Sequence, residues 1–100
     1  MSDDAILNLA SSLLPKIKTR LGIEEDNTVN DSTITDVICD VIHELALCGV
    51  ADSIINSPSS LGAIVKGVKD TWNYNGGSES GYSDDFYNRV DRLRRKVVVE

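Results

Sequence analysis

The sequence predicts an all-α protein, a small bundle of four to five helices with a flexible glycine- and serine-rich loop before the last helix. Apolar residues recur at spacings of three and four in four segments, and this is the period of one helix face. Hydrophobic residues make up 41% of the chain but aromatic residues only 5%, so the core must be aliphatic. A chain of 100 residues provides for one core, so residues 1–100 are expected to form a single domain.

The first periodic segment predicts a helix from about Asp3 to Leu21. Its apolar positions are Ile6, Leu9, Ala10, Leu13, Leu14, Ile17 and Leu21. Pro15 interrupts this run, removes one backbone donor and clashes with the preceding turn, so a kink or a break is expected there. The pattern leaves two alternatives open, one bent helix or two short helices over about 3–13 and 15–21.

The second segment begins at Asp31 or Ser32 and is the strongest helix pattern in the chain. Its apolar stripe consists of Ile34, Val37, Ile38, Val41, Ile42, Leu45 and Cys48 or Gly49. Many of these residues also suit strands, but the sustained spacing of three and four outweighs that preference. Past Gly49 the same pattern extends to Ile54 and Ile55.

The third and fourth segments complete the bundle. The third carries Leu61, Ile64, Val65, Val68 and Trp72 at core spacing. The fourth carries Phe86, Val90, Leu93 and Val97. Gly62 and Gly67 each weaken the third helix by about 1 kcal/mol relative to alanine, but small residues there also permit a close helix crossing.

Residues at the segment ends agree with these boundaries. The predicted caps are Ser2, Gly22, Ser57 and Ser83. Pro58 follows one cap at the first helical position, where its missing N–H costs nothing. Lys16, Lys18 and Arg20 are placed to complement the negative end of the first helix.

Two segments stand apart from the helices. The first is a candidate channel or interface loop made of Gly76, Gly77, Ser78, Glu79, Ser80 and Gly81. It is longer than a helix–helix turn requires and lacks the lysine and preceding strand of a phosphate-binding loop. The second is the candidate extended tail 94–100, because Val97, Val98 and Val99 favour extended backbone.

No complete catalytic, cofactor or metal constellation is present, so the sequence predicts a protein that is not an enzyme and needs no cofactor. Cys39 and His43 lie four residues apart on one helix, but two ligands are too few for structural zinc. The same pair lacks a third group to serve as a thiolate nucleophile with its base. Cys39 and Cys48 are about 13.5 Å apart along a helix axis and cannot form a disulfide.

Charge constrains the class of partner. The net charge is -6, from 16 acidic and 10 basic residues, which argues against wrapping of duplex DNA. Asp36, Asp40 and Glu44 form an acidic cluster at helical spacing, which is usually a solvated face. The basic run of the last helix consists of Arg92, Arg94, Arg95 and Lys96. It can contact DNA phosphates, complement the helix dipole with salt bridges, or dock onto an acidic partner, and the last is favoured.

Localisation follows from what the sequence lacks. No apolar run approaches the roughly 20 residues of a membrane span, and the amino terminus is acidic, unlike a signal peptide. Free thiols suit a reducing compartment. A soluble cytoplasmic protein is expected, without a membrane partner.

The order of the segments carries a family resemblance. The features are the Leu21-Gly22-Ile23 turn, an acidic loop before the helix beginning near Ser32, Tyr74-Asn75 near the end of the third helix, and Leu93-Arg94-Arg95 in the last. Over nearly the whole chain this arrangement resembles the tailed-bacteriophage head–tail connector family, whose members are also described as adaptor, DNA-packaging or head-completion proteins.

The resemblance implies a structural virion protein. Such a subunit forms a homo-oligomeric ring under the capsid portal, extends the DNA channel, and binds the portal protein and a further connector or tail protein. DNA is then only passing cargo, and the protein is located at the head–tail interface of the virion after assembly in the host cytoplasm. Residues 92 and 94–99 become candidate portal or subunit contacts, and residues 76–81 can project into the channel.

The alternative function is a small helical DNA-binding or regulatory protein, with the last helix in contact with DNA. A recognition helix carries base-reading side chains near its amino terminus. Here that end holds Asp84 and Asp85, which repel phosphates, so the sequence favours the connector.

Overall fold

A computed structural model of the chain describes residues 1–72 and 82–96. In these two ranges the regular elements are α1 (Asp3–Leu21), α2 (Asp31–Leu47), α3 (Asp52–Ile55), a 3₁₀ turn (Pro58–Ser60), α4 (Leu61–Trp72) and α5 (Asp84–Arg94). The predicted all-α fold is confirmed. The candidate loop 76–81 and the valines 97–99 lie outside the described residues. No helix in the described part of the chain combines the length and the apolar character needed to cross a membrane.

The capping residues predicted from the sequence are confirmed. The hydroxyls of Ser2, Ser57 and Ser83 each accept a backbone N–H from the turn that follows. Gly22 ends α1 with a φ of 76°, in the left-handed region that glycine adopts at little cost. Local sequence therefore sets where these elements begin and end.

Helix α1 is one continuous element with Pro15 inside it, so of the two alternatives left open by the sequence, the one with two short helices is wrong. Pro15 is exposed, and so is Ser11, whose carbonyl loses its helical partner at this position. Water can satisfy that carbonyl, whereas Ala10 and Ile17 on the opposite face are fully buried against the core. Packing of the apolar face holds the helix together across the proline.

Helix α2 ends at Leu47, and the predicted continuation to Ile55 is wrong. Gly49 has a φ of 90°, which no regular helix contains. The N–H of Val50 donates to the carbonyl of Leu45 at 3.1 Å, the long bond of a Schellman motif. The chain turns at this glycine, and the second part of the apolar pattern becomes the separate short helix α3.

The core is centred on α2, which contacts α1, α3 and α4, while α5 packs on α4. The α2 residues that are fully buried are Ile34, Ile38, Val41, Ile42 and Leu45. The core is otherwise aliphatic, as predicted, except for Phe86, which is also fully buried.

Gly67 is the point at which α4 passes between α2 and α5. A Cβ atom built on Gly67 would lie 2.7 Å from Cε1 of Phe86 and 2.8 Å from Cγ1 of Val41. Real Cβ atoms do not approach other carbons so closely, so only glycine fits. The predicted close crossing is confirmed at Gly67, and Gly62 lies instead near the exposed side chain of Arg89.

Lys18 has a different role from the one predicted. Its side chain is 4% exposed, and its ammonium lies 2.8 Å from Oδ1 of Asp31. The ammonium also donates to the carbonyls of Glu25 at 3.0 Å and Asn27 at 2.7 Å. A buried charge requires such partners. Lys18 therefore holds the α1–α2 connection in place, and complementation of the helix dipole is at most a secondary effect.

Candidate functional site: a basic groove beside the last helix

The start of α5 is fixed to α4 by a polar anchor. Asp70 accepts hydrogen bonds from the N–H of Ser83 at 3.0 Å and from its hydroxyl at 2.7 Å, and its other oxygen lies 3.1 Å from the ammonium of Lys66. Burial raises the pKa of Asp70, but these hydrogen bonds and the positive charge outweigh it and hold the pKa below its usual value. The carboxylate therefore holds the start of α5 against the last turn of α4.

The buried face of α5 determines where its charges point. Phe86, Val90 and Leu93 face the core. The remaining side chains divide into a flank toward α2, which carries Tyr87 and Arg94, and a flank toward α4. The two flanks have different electrostatic environments.

The flank toward α4 carries positive charge. Arg89, Arg92 and Lys96 line a cavity of about 190 Å³ together with Gly62 and neighbouring residues. A second cavity, of about 170 Å³, shares Gly62 and Arg89 with the first and adds cations from α1 and α4. We call these adjoining cavities the basic groove. Its cations are Arg20, Lys66, Lys69, Arg89, Arg92 and Lys96.

Most of these cations have no acidic partner among the described residues. Lys66 pairs with Asp70, and Arg89 lies 3.4 Å from Oδ2 of Asp85. The other four, Arg20, Lys69, Arg92 and Lys96, form no ion pair within residues 1–72 and 82–96. The groove is therefore a positive region on a chain whose net charge is -6.

The basic run predicted from the sequence is divided between two surfaces. Arg92 and Lys96 lie in the basic groove. Arg94 and Arg95 instead pair with the two oxygens of Asp91 at 2.6 Å and 2.9 Å. Val97, Val98 and Val99 lie outside the described residues, as do the loop residues 76–81.

Sequence reasoning missed the other cations of the groove. Arg89, Arg92 and Lys96 follow one another at three- and four-residue spacing, a signal of one helix face that was available. Lys66 and Lys69 have the same spacing on α4. Their approach to one another, and to Arg20 at the end of α1, is set by the packing of three helices.

The flank toward α2 borders carboxylates beside Tyr87, whereas Arg94 on the same flank lies farther along, near Cys48. We call Asp36, Asp40 and Glu44, at four-residue spacing along α2, the acidic stripe; the two aspartates are exposed. The hydroxyl of Tyr87 donates to Oε2 of Glu44 at 2.9 Å, and this hydrogen bond raises the pKa of Tyr87 to about 12. Burial raises the pKa of Tyr82, and the charges of Asp40 and Glu44 add to that effect. The acidic stripe therefore runs beside the first turns of α5, on the side opposite the basic groove.

The surroundings of Cys39 disfavour a reactive thiolate, and those of His43 include an exposed carboxylate. Burial raises the pKa of the Cys39 thiol, and Asp36 and Asp40 raise it further, so the thiolate is disfavoured. His43 is half-exposed, and its nearest acidic partner is Asp3 at 3.8 Å. Within the described residues, no three potential metal ligands are grouped together.

The dimensions of the groove favour contact with a macromolecule. Pockets for small ligands usually begin at about 300 Å³. The cavities of about 190 Å³ and 170 Å³ are smaller and are lined by long cationic side chains. The arrangement can hold carboxylates or phosphates on a partner surface.

Comparison with known proteins gives one finding on the family. A family model described as phage connector protein matches residues 13–74, from the middle of α1 to just beyond the end of α4. Helix α5, with Arg89, Arg92 and Lys96, lies outside the matched range. No curated protein and no solved structure matches the chain.

Proposed function

Because this chain belongs to the phage connector protein family, and so has a structural role in the virion, we propose that it is a head–tail connector subunit. In this role, copies of the chain form a ring under the capsid portal and extend the DNA channel. The ring also offers a surface to the next connector or tail protein. The family match over residues 13–74 is the observation on which this proposal depends.

The charges of the chain support a role in which DNA passes without being held. A ring of subunits, each with a net charge of -6, repels the DNA backbone and lets the genome slide. Asp84 and Asp85 are exposed in the first turn of α5, where a DNA-reading helix needs groups that approach bases. These charges support the connector over the DNA-binding regulator.

We assign the contact with the portal or a neighbouring subunit to the carboxyl-terminal end of the chain. The contact residues are Arg92, Arg94, Arg95, Lys96, Val97, Val98 and Val99. The first four are exposed, and cations at the end of a helix suit an acidic partner surface. The loop of residues 76–81 contributes a second contact, to the channel or to a neighbouring subunit.

The test is binding of the purified full-length chain to the portal protein encoded by the same phage, measured by co-sedimentation and by electron microscopy of the complex. We expect a ring on one end of the portal. Removal of residues 95–100 should abolish this binding and leave the helical circular dichroism unchanged, because among the described residues the last one buried in the core is Leu93.

A matched control keeps this test specific. Replacement of Glu24 and Glu25 by glutamine changes exposed charges in the α1–α2 connection, far along the chain from α5, and should leave portal binding intact. If the wild-type chain does not bind the portal but binds duplex DNA in a salt-sensitive manner, the connector proposal is wrong and the regulator is favoured.

A further inference from the structure

The two flanks of α5 present charges of opposite sign on one chain. The basic groove lies between α5 and α4, and the acidic stripe lies along α2 beside Tyr87. Four of the groove cations have no acidic partner among the described residues, and Asp36 and Asp40 of the stripe form no ion pair there either. Within the described residues, each surface is therefore open to a partner of the other sign.

We propose that the basic groove of one copy of this chain receives the acidic stripe of a second copy. The lengths of the two surfaces agree. Asp36 and Glu44 are about 12 Å apart along α2, and Arg89 and Lys96 are about 10.5 Å apart along α5, at 1.5 Å per residue. Two parallel rows of opposite charge, each on a helix, can pair over their whole length.

The geometry of this contact gives a head-to-tail assembly. Because the groove and the stripe lie on opposite sides of α5, the contact of one groove with one stripe does not at the same time bring the second groove and stripe together, as a two-fold dimer would require. The contact of groove with stripe leaves one unused surface of each kind, and a further copy can bind there. Such a contact gives a ring when the rotation between copies closes, and a filament when it does not. Assignment of this contact to the connector ring rests on the proposed function.

Charge balance favours a second copy over DNA as the occupant of the groove. A DNA duplex extends beyond the groove, whose cations span about 10.5 Å along α5, and so it also meets the exposed carboxylates of Asp84 and Asp85 at the start of that helix. A second copy brings its own carboxylates in a fixed row of matching length. The contact consists of exposed ion pairs, which salt weakens, so it should be reversible in solution.

The test is a charge exchange on the full-length chain. One variant reverses the groove with Arg92→Glu and Lys96→Glu, and the other reverses the stripe with Asp36→Lys and Asp40→Lys. Mass is measured by sedimentation and light scattering at increasing concentration, in about 0.05 M and about 0.5 M salt. The wild type should associate in low salt and dissociate in high salt. Each variant alone should associate at least tenfold more weakly.

An equal mixture of the two variants is the decisive sample. The acidic groove of the first variant can then bind the basic stripe of the second, and the acidic stripe of the first can bind the basic groove of the second. Association should therefore return to within about threefold of the wild type. The control Glu24→Lys with Glu25→Lys changes the net charge in the same direction and by the same amount as the stripe variant, outside both surfaces, and should associate as the wild type does.

Three results would overturn the proposal. They are a wild type that stays monomeric in low salt at its highest soluble concentration, a mixture that does not recover association, and groove-dependent binding of a duplex DNA probe in place of self-association. Portal binding is measured separately. If the chain binds the portal but the charge exchange fails, only the proposed contact between groove and stripe is wrong. If the charge exchange succeeds but the chain does not bind the portal, the proposed connector function is wrong.

Discussion

Lys18 and Lys96 show how differently one residue type is used at the two ends of this molecule. Lys18 is buried, with a carboxylate and two carbonyl oxygens around its ammonium. Lys96 is exposed in the basic groove, with no ion pair within the described residues. The contacts of Lys18 stabilise the fold, whereas the side chain of Lys96 is open to a partner. Charge alone does not separate the two roles, but the number of surrounding acceptors does.

The largest effect on stability is expected from Lys18→Met. The substitution leaves the buried Oδ1 of Asp31 and two carbonyl oxygens without their cation, which should cost about 3–5 kcal/mol of unfolding free energy. Urea denaturation followed by circular dichroism measures it. The control Lys16→Met, at an exposed site on the same helix, should change stability by less than about 0.5 kcal/mol. Equal effects would show that Lys18 is not an anchor.

An intermediate effect is expected at Asp70, the anchor of α5. Asp70→Asn should cost about 1–3 kcal/mol at pH 7, because charged hydrogen bonds from Ser83 and the ion pair with Lys66 are weakened. The folded-state pKa of Asp70 is lowered, so its contribution is present above the ordinary aspartate pKa of about 3.9 and is lost as the pH falls through the folded value.

A series of unfolding measurements at different pH values tests whether the Asp70 carboxylate stabilises the start of α5. Unfolding of the wild type and Asp70→Asn is compared between pH 7 and pH 2. The difference between their free energies of unfolding should become smaller only below about pH 4. A gap that is constant over the whole range would show that the carboxylate charge does not stabilise the start of α5.

A smaller effect concerns the hydrogen bond that joins α5 to the acidic stripe. Ultraviolet titration of the tyrosines should show one phenol with a pKa of about 12, assigned to Tyr87. Glu44→Gln should lower that pKa, because the hydrogen bond to the Glu44 carboxylate raises the pKa of Tyr87 more than any other contact does. Tyr87→Phe removes this titration step altogether and serves as the assignment control. An unchanged titration in Glu44→Gln would contradict the contact.

The smallest effect on stability is expected in the basic groove itself. Arg92→Gln with Lys96→Gln should change the unfolding free energy by less than about 0.5 kcal/mol, since both side chains are exposed. Thermal unfolding measures it. A loss comparable to that of Lys18→Met would mean that the groove cations stabilise the fold, and the contrast between the two ends of the molecule would be wrong.

The sequence predicted the parts of this fold that depend on local chemistry. Spacing identified the core positions of α2, and Ser2, Gly22, Ser57 and Ser83 marked helix ends, because capping acts within a few residues. The continuity of α1 across Pro15 and the burial of Lys18 depend on tertiary packing, which periodicity does not contain.

The functional surface was predicted only in part, for the same reason. Arg92 and Lys96 stood out as part of a basic run, but the run gave no sign that Asp91 would take up Arg94 and Arg95. Arg20 is distant from α5 in sequence and reaches the groove only through the packing of α1 on the bundle. A surface built from three helices cannot be read from any one of them.

The missing side chain at Gly67 has a mechanical consequence. Phe86 of α5 and Val41 of α2 both reach into the space that a Cβ atom of residue 67 would occupy, so the two helices are packed closely through this point of α4. A shift of Phe86 toward α4 would therefore press on Val41 of α2.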